Sequence, residues 1–118
     1  MASHNQLGKD GEKLAEQFLR EKGYEIMHKN WRYSYYEIDI IACCGNILHI
    51  IEVKTLNKTS LGYPEDSVTK RKFKRILNAA EEFLYQHPEY RHVQYDILAI
   101  TTDRHQLPEF FLLEDVYL

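Results

Sequence analysis

Four ionisable side chains sit on two adjacent apolar segments, and their spacing is the first chemical signal in the chain. The run Tyr36-Glu37-Ile38-Asp39-Ile40-Ile41-Ala42-Cys43 is followed, after Cys44-Gly45-Asn46, by Ile47-Leu48-His49-Ile50-Ile51-Glu52-Val53-Lys54-Thr55. Both runs are rich in Ile, and the Gly-Asn step between them is a hairpin signal. Side chains alternate across a strand, so Glu37, Asp39, Ile41 and Cys43 are expected on one face. Leu48, Ile50, Glu52 and Lys54 likewise share a face of the next strand. A two-residue loop at Gly45-Asn46 pairs Cys44 with Ile47, which sets Asp39 opposite Glu52 and Glu37 opposite Lys54. Directly opposed Cβ atoms lie about 5 Å apart, close enough for two carboxylates to grip one divalent cation.

Two readings of this cluster compete. A Glu37–Lys54 ion pair with further hydrogen bonds would make it structural, yet it leaves two more acids beside a single lysine. Clustered acids raise one another's pKa, and Mg²⁺ or Mn²⁺ would relieve the field they create. Glu12 is a further candidate. It lies three and seven residues before Ala15 and Leu19, at the margin of an apolar helical stripe, with a solvated helix glutamate as the alternative.

The elements that must position these groups follow from periodicity and punctuation. Residues 8–22 read as a helix with Gly11, Leu14, Ala15, Phe18 and Leu19 on one stripe, and Gly23 stands where a C-cap belongs. Tyr24–Tyr33 begins a strand. Tyr36–Cys43 and Ile47–Thr55 are apolar on both faces and should be central strands. Residues 56–64 form a loop, and a long helix runs from about Ser67 to Gln86 with Phe73, Ile76, Leu77, Ala80 and Leu84 inward. His92–Thr101 adds a strand and Phe110–Leu113 a short edge strand. The order αβββαβ(β) predicts one α/β domain over residues 1–118, a mixed sheet with helices packed on it.

Composition sets the outer bounds. A chain of 118 residues and 14.1 kDa, 44% apolar and 28% charged, is one globular domain with a real core. No apolar run approaches the ~20 residues of a membrane span. The start Met-Ala-Ser-His-Asn-Gln lacks the basic-then-apolar plan of a signal peptide, so a cytoplasmic protein is expected. Cys43 and Cys44 are adjacent and make no disulfide framework. The histidines show no zinc spacing, and there is no Gly-rich phosphate loop and no Gly-x-Ser-x-Gly elbow. The net charge of −3 argues against a protein that coats nucleic acid everywhere. Between Lys54 and Arg75, however, seven basic residues face two acids, a local +5, and the remainder carries −8. That polarity fits a protein that meets a polyanion with one face, with a solvated basic helix as the alternative.

The motif string Gly8-x-x-Gly11-Glu12-x-x-Ala15, Gly23-Tyr24, Asn30-Trp31-Arg32, Glu37-Ile38-Asp39-Ile40-Ile41, Glu52-Val53-Lys54, Lys72, Ala79-Ala80 and Tyr95-Asp96-Ile97 resembles the YraN-like family. That bacterial family belongs to the restriction-endonuclease-like PD-(D/E)XK superfamily, and archaeal Holliday-junction resolvases are similar in size and motif order. The resemblance runs from about Gly8 to Ile100. It implies a restriction-endonuclease-like αβββαβ core. Carried over, Asp39 looks like the metal-binding aspartate, Glu52 the second carboxylate and Lys54 the motif lysine. Glu12 matches the first-helix glutamate, Glu37 the strand glutamate and Lys72 the basic position on the second long helix. Three departures stand out: Ile38 in place of proline, Tyr36 where glycine is common, and Gln94 where arginine is common.

The resemblance implies Mg²⁺ (or Mn²⁺) held by Asp39, Glu52 and the Val53 carbonyl, with Glu12 and Glu37 acting through water or at a second ion. Lys54 would orient the attacking water or stabilise the transition state. Lys70, Arg71, Lys72 and Arg75 would contact phosphates. The expected activity is metal-dependent hydrolysis of DNA phosphodiesters, on branched or single-stranded substrates, by a homodimer if the resolvase likeness extends that far. Two alternatives belong to other classes: a noncatalytic nucleic-acid-binding module, and a protein-interaction domain built on a tyrosine-rich surface. No base-reading motif is visible, so little sequence specificity is expected.

Overall fold

The computed structural model describes residues 4–57, 69–103 and 105–116. Its elements are α1 (His4–Glu21), β1 (Glu25–Tyr33), β2 (Tyr36–Cys44), β3 (Ile47–Asn57), α2 (Lys70–Gln86), β4 (His92–Asp103) and β5 (Gln106–Leu113). The predicted order is observed, with β5 starting at Gln106, earlier than the Phe110 expected. Leu56 and Asn57, read as loop in the sequence, extend β3. The expected start of the second helix near Ser67 and most of the preceding loop lie outside the described residues.

One sheet runs in the order β1-β2-β3-β4-β5. All neighbours are antiparallel except β3 and β4, which are parallel, so α2 lies in the crossover between them. The mixed sheet with its two helices is compatible with a restriction-endonuclease-like core. Central strands have two apolar faces, and each face is covered. Phe73, Ile76, Ala79, Ala80 and Phe83 of α2 pack on Ile41, Leu48 and Ile50. Ala15 and Leu19 of α1 pack on Ile40, Ala42, Ile51, Leu98 and Ile100 from the other side. Among the described residues, no helix is long and apolar enough to cross a membrane.

The punctuation residues act as their chemistry dictates. Gly23, at φ +93°, closes α1: its own N–H donates to the Arg20 carbonyl, and the Tyr24 N–H to that of Leu19, both at 3.0 Å. Gly45, at φ +63°, starts the two-residue loop that pairs Cys44 with Ile47. Thr69 caps α2, its hydroxyl accepting from the Lys72 N–H at 3.1 Å.

The feature that matters most for function is a division of the sheet. Pairing of β2 with β3 runs from Cys44–Ile47 to Ile40–Ile51 and stops there. Beyond it β1 and β2 stay paired to Tyr33–Tyr36, and β3 and β4 to Asn57–Thr102. The sheet thus ends in two arms. The alternation expected from Glu37 to Cys43 is broken at the same point, because Ile38 and Ile40 bury in opposite cores. On β1 the matching change falls at Asn30, a positive-φ residue (φ +52°). On one side of it Lys29 reaches Glu16 of α1, and on the other Trp31 packs on Phe83 of α2.

Candidate carboxylate site at the division of the sheet

Asp39 stands where β2 parts from β3. A separating pair of strands leaves backbone N–H groups without ladder partners, and a buried orphan is costly. Oδ2 of Asp39 accepts the Val53 N–H at 2.8 Å, replacing the missing ladder bond with a side chain. The Glu52 carboxyl is a close neighbour of Asp39. Burial foremost, and the Glu52 charge second, push its pKa up to about 7, against the opposing pull of the Val53 N–H and the Lys72 ammonium.

Glu52 follows Leu48 and Ile50 on the α2 side of β3, among Ile50, Phe73, Ile76 and Tyr95. Its side chain is only 11% exposed, and its charge is met by Lys72, whose Nζ lies 2.6 Å from Oε1. Lys72 precedes Ile76 by one helical turn and so continues the buried stripe of α2. The Thr69 cap starts the helix where that reach is short. Lys70, Arg71, Lys72, Lys74 and Arg75 are all exposed, but Lys72 and Arg75, expected together on phosphates, part company in that Lys72 directs its ammonium to Glu52.

The remaining candidates are placed as follows. Lys54 is half-buried and, two residues beyond Glu52, keeps to the same face of β3. Val53 borders the site through its N–H, and its side chain packs in the α1-side core. Glu37 is not drawn to Lys54 by strand opposition; its carboxylate lies 3.6 Å from Arg32 on β1. Glu12 is exposed on α1, the helix on the opposite face of the sheet from Lys72. Its neighbour Gly11 is buried so closely against β3 that a Cβ there would collide with the Thr55 hydroxyl. Among the described residues, no three of His, Cys, Asp or Glu converge as a metal-binding group. Asp39, Glu52 and Lys72 are brought together; Glu12 and Glu37 are not brought to them.

Sequence reasoning passed over a second polar pair. His49 Nδ1 lies 2.7 Å from Asp96 Oδ2, with side chains 5% and 0% exposed. The other Asp96 oxygen accepts from Gln94 Nε2 at 2.9 Å and from the Asp115 N–H at 3.0 Å. Gln94, where the resemblance would favour arginine, thus serves a buried carboxylate. The Tyr24 ring meets His49 edge-on at 4.8 Å, and burial pushes the Tyr24 hydroxyl up to about 12. A histidine inside an apolar strand was the available signal, since a buried imidazole requires a polar partner. The His49 and Asp96 side chains are enclosed, while Gln94 is half-buried and Asp115 exposed at their edge.

Fold and site define a small mixed-sheet domain with paired carboxylates at the division of its sheet. The chain belongs to UPF0102, described as an uncharacterised protein family, whose model matches residues 11–100. This is the family that the YraN-like motif string indicates. A UPF0102 protein of Phocaeicola vulgatus is 40% identical over 104 residues, covering 88% of this chain and 86% of its own length. One of Bacteroides thetaiotaomicron is 42% identical over 100 residues, covering 85% and 83%. One of Flavobacterium johnsoniae is 37% identical over 118 residues, covering 97% and 93%.

Proposed function

We propose that this protein is a Mg²⁺-dependent hydrolase of DNA phosphodiesters within the PD-(D/E)XK superfamily. The observation that carries the reading is the meeting of Asp39 and Glu52 at the division of the sheet, with Lys54 on the same face of β3. The donor set fits the ion: Mg²⁺ takes oxygen ligands and is commonly held by one or two carboxylates with water completing the shell. Asp39, Glu52 and the Val53 carbonyl would hold it. A bound cation would supply charge for the scissile phosphate and acidify a water.

The chain's own residues do the rest. The Val53 N–H holds Asp39 in one orientation, leaving its second oxygen to the ligand. The apolar surroundings of Glu52 limit water, which strengthens electrostatic interactions in the site. Lys54 carries a positive charge on the face where a phosphate would approach. Lys72 neutralises Glu52 and so keeps the acidic pair tolerable in the metal-free protein.

That same ion pair favours a second reading, a noncatalytic nucleic-acid-binding module, because Glu52 already has a counter-ion. One experiment separates them. Cleavage of single-stranded and branched DNA is expected with Mg²⁺ or Mn²⁺, and is expected to vanish in identically purified Asp39→Ala and Glu52→Ala. Lys54→Ala should lower turnover far more than affinity, as expected for a group acting in the transition state. Activity surviving both carboxylate substitutions is a contaminant's, and binding without cleavage of any substrate establishes the second reading.

A further inference from the structure

The arm formed by the ends of β1 and β2 carries aromatic side chains that the carboxylate site does not use. Tyr33 pairs with Tyr36 across the hairpin, leaving Ser34 and Tyr35 as a two-residue turn, with Ser34 at φ +58°. Tyr35 is 97% exposed and Tyr33 44%. Single exposed rings are ordinary on a protein surface, but here two of them share one turn. The arm beneath them is firmly rooted. Trp31 stands edge-on to Phe83 of α2 at 5.4 Å, and Tyr36 and Ile38 pack in the same core. Only the tip is left free.

Its position relates it to the carboxylates. Tyr36 is three residues from Asp39 on one strand, roughly 10 Å at 3.3 Å per residue. The tip therefore overhangs the same end of the sheet, across the division from the end of β3. Charge on that side of the molecule is favourable to a polyanion: Lys70, Arg71, Lys74 and Arg75 are exposed on the helix that delivers Lys72 to Glu52. Arg32, 73% exposed, adds a guanidinium on the arm itself, shared at 3.6 Å with Glu37. Arg32 directly before Tyr33 puts a cation and exposed rings on one hairpin end, the two parts of a single-strand binding surface, the first for backbone and the second for bases.

We propose that Tyr33 and Tyr35 form a stacking platform for unpaired bases, which makes the preferred substrate a single-stranded or frayed nucleic acid and not continuous duplex. The inference rests on the hydrolase reading above for its substrate and adds the site that selects it. Bases within a duplex stack on one another and offer only their edges in the grooves, so a tyrosine ring can cover a base face only where pairing is lost. Tyrosine suits the task because its ring is rigid and already held by a rooted hairpin.

The test measures affinity in chelator, where nothing is cut, by anisotropy titration of labelled oligothymidine and of a blunt duplex of equal length. Y33A/Y35A should lose about tenfold or more in single-strand affinity while duplex affinity stays unchanged. Y33F/Y35F, which keeps both rings, should match wild type and guards against a folding artefact. Equal affinity in wild type and Y33A/Y35A overturns the proposal, as does an equal loss on both substrates. Loss of self-association in Y33A/Y35A without loss of single-strand binding also overturns it, marking the tip as a protein surface. The two readings fail separately. Cleavage that needs Asp39 and Glu52 alongside unchanged single-strand affinity removes only the platform. A ring-dependent single-strand affinity with no cleavage removes only the hydrolase.

Discussion

Two carboxylates in a poorly hydrated niche repel each other, and two groups limit the penalty here: the Val53 N–H and the Lys72 ammonium. Asp39, raised to about 7 in the folded protein from 3.8, makes the metal-free protein pH-sensitive in a definite direction. Below about 4 it is protonated whether folded or unfolded, and no penalty exists. As pH rises from there through about 7 the unfolded chain ionises first, so stability falls. Asp39→Asn keeps an acceptor for Val53 but cannot ionise. It is therefore expected to raise the apo melting temperature at pH 8 and to give little gain at pH 4, while abolishing Mn²⁺ binding by calorimetry. Such a trade of stability for function is usual in active sites. An apo protein clearly destabilised by Asp39→Asn at pH 8 identifies the cluster as a structural network instead.

At the scale of elements, the site depends on how two helices cross a sheet from opposite sides. α1 approaches β3 through Gly11, whose missing side chain makes room for Thr55. Gly11→Ala is expected to cost about 1–3 kcal/mol in urea denaturation, in the range of overpacking. The loss should shrink when combined with Thr55→Ala, since the colliding hydroxyl is then gone; additive losses would place the strain elsewhere. On the other face α2 begins at the Thr69 cap, so its first turn carries Lys72 next to the buried Phe73. A helix starting one turn later would leave Glu52 without its counter-ion. The buried His49–Asp96 pair ties β3 to β4 and, through the Asp115 N–H, to the chain beyond β5.

Across the whole molecule, charge and shape agree on one side. The chain is net negative, yet Lys70, Arg71, Lys72, Lys74 and Arg75 crowd the first turns of α2, all exposed, on the helix whose Lys72 reaches Glu52. Single-strand binding should weaken linearly with the logarithm of salt, by about 0.7 per phosphate neutralised. Arg75→Ala should reduce that slope by about one such step, measured between low and physiological salt. Lys72→Ala should leave the slope nearly unchanged, because its charge is already directed at Glu52. An equal reduction in both variants would show that Lys72 leaves Glu52 when a strand binds.

Much of this was legible in the residues alone. Period and punctuation determined the element order, the two central strands and most inward residues of the helices, but on α2 Ala79 and Phe83 are buried while Leu77 and Leu84, expected inward, are only half-buried. The two-residue Gly45-Asn46 loop determined the hairpin register, because loop length and pleat leave no freedom to slip. What periodicity cannot show is where a ladder ends. The parting of β2 from β3 after Ile40–Ile51 depends on α1 and α2 pulling Ile40 and Ile38 into different cores, a balance of packing from residues far apart in the chain. The same long-range packing took Lys72 to Glu52, left Glu37 with Arg32, put Glu12 on the far helix, and joined His49 to Asp96. Residue types and local spacing name the groups capable of chemistry. Which of them meet is decided only when helices cross the sheet, since burial and counter-charge act through space and not along the sequence.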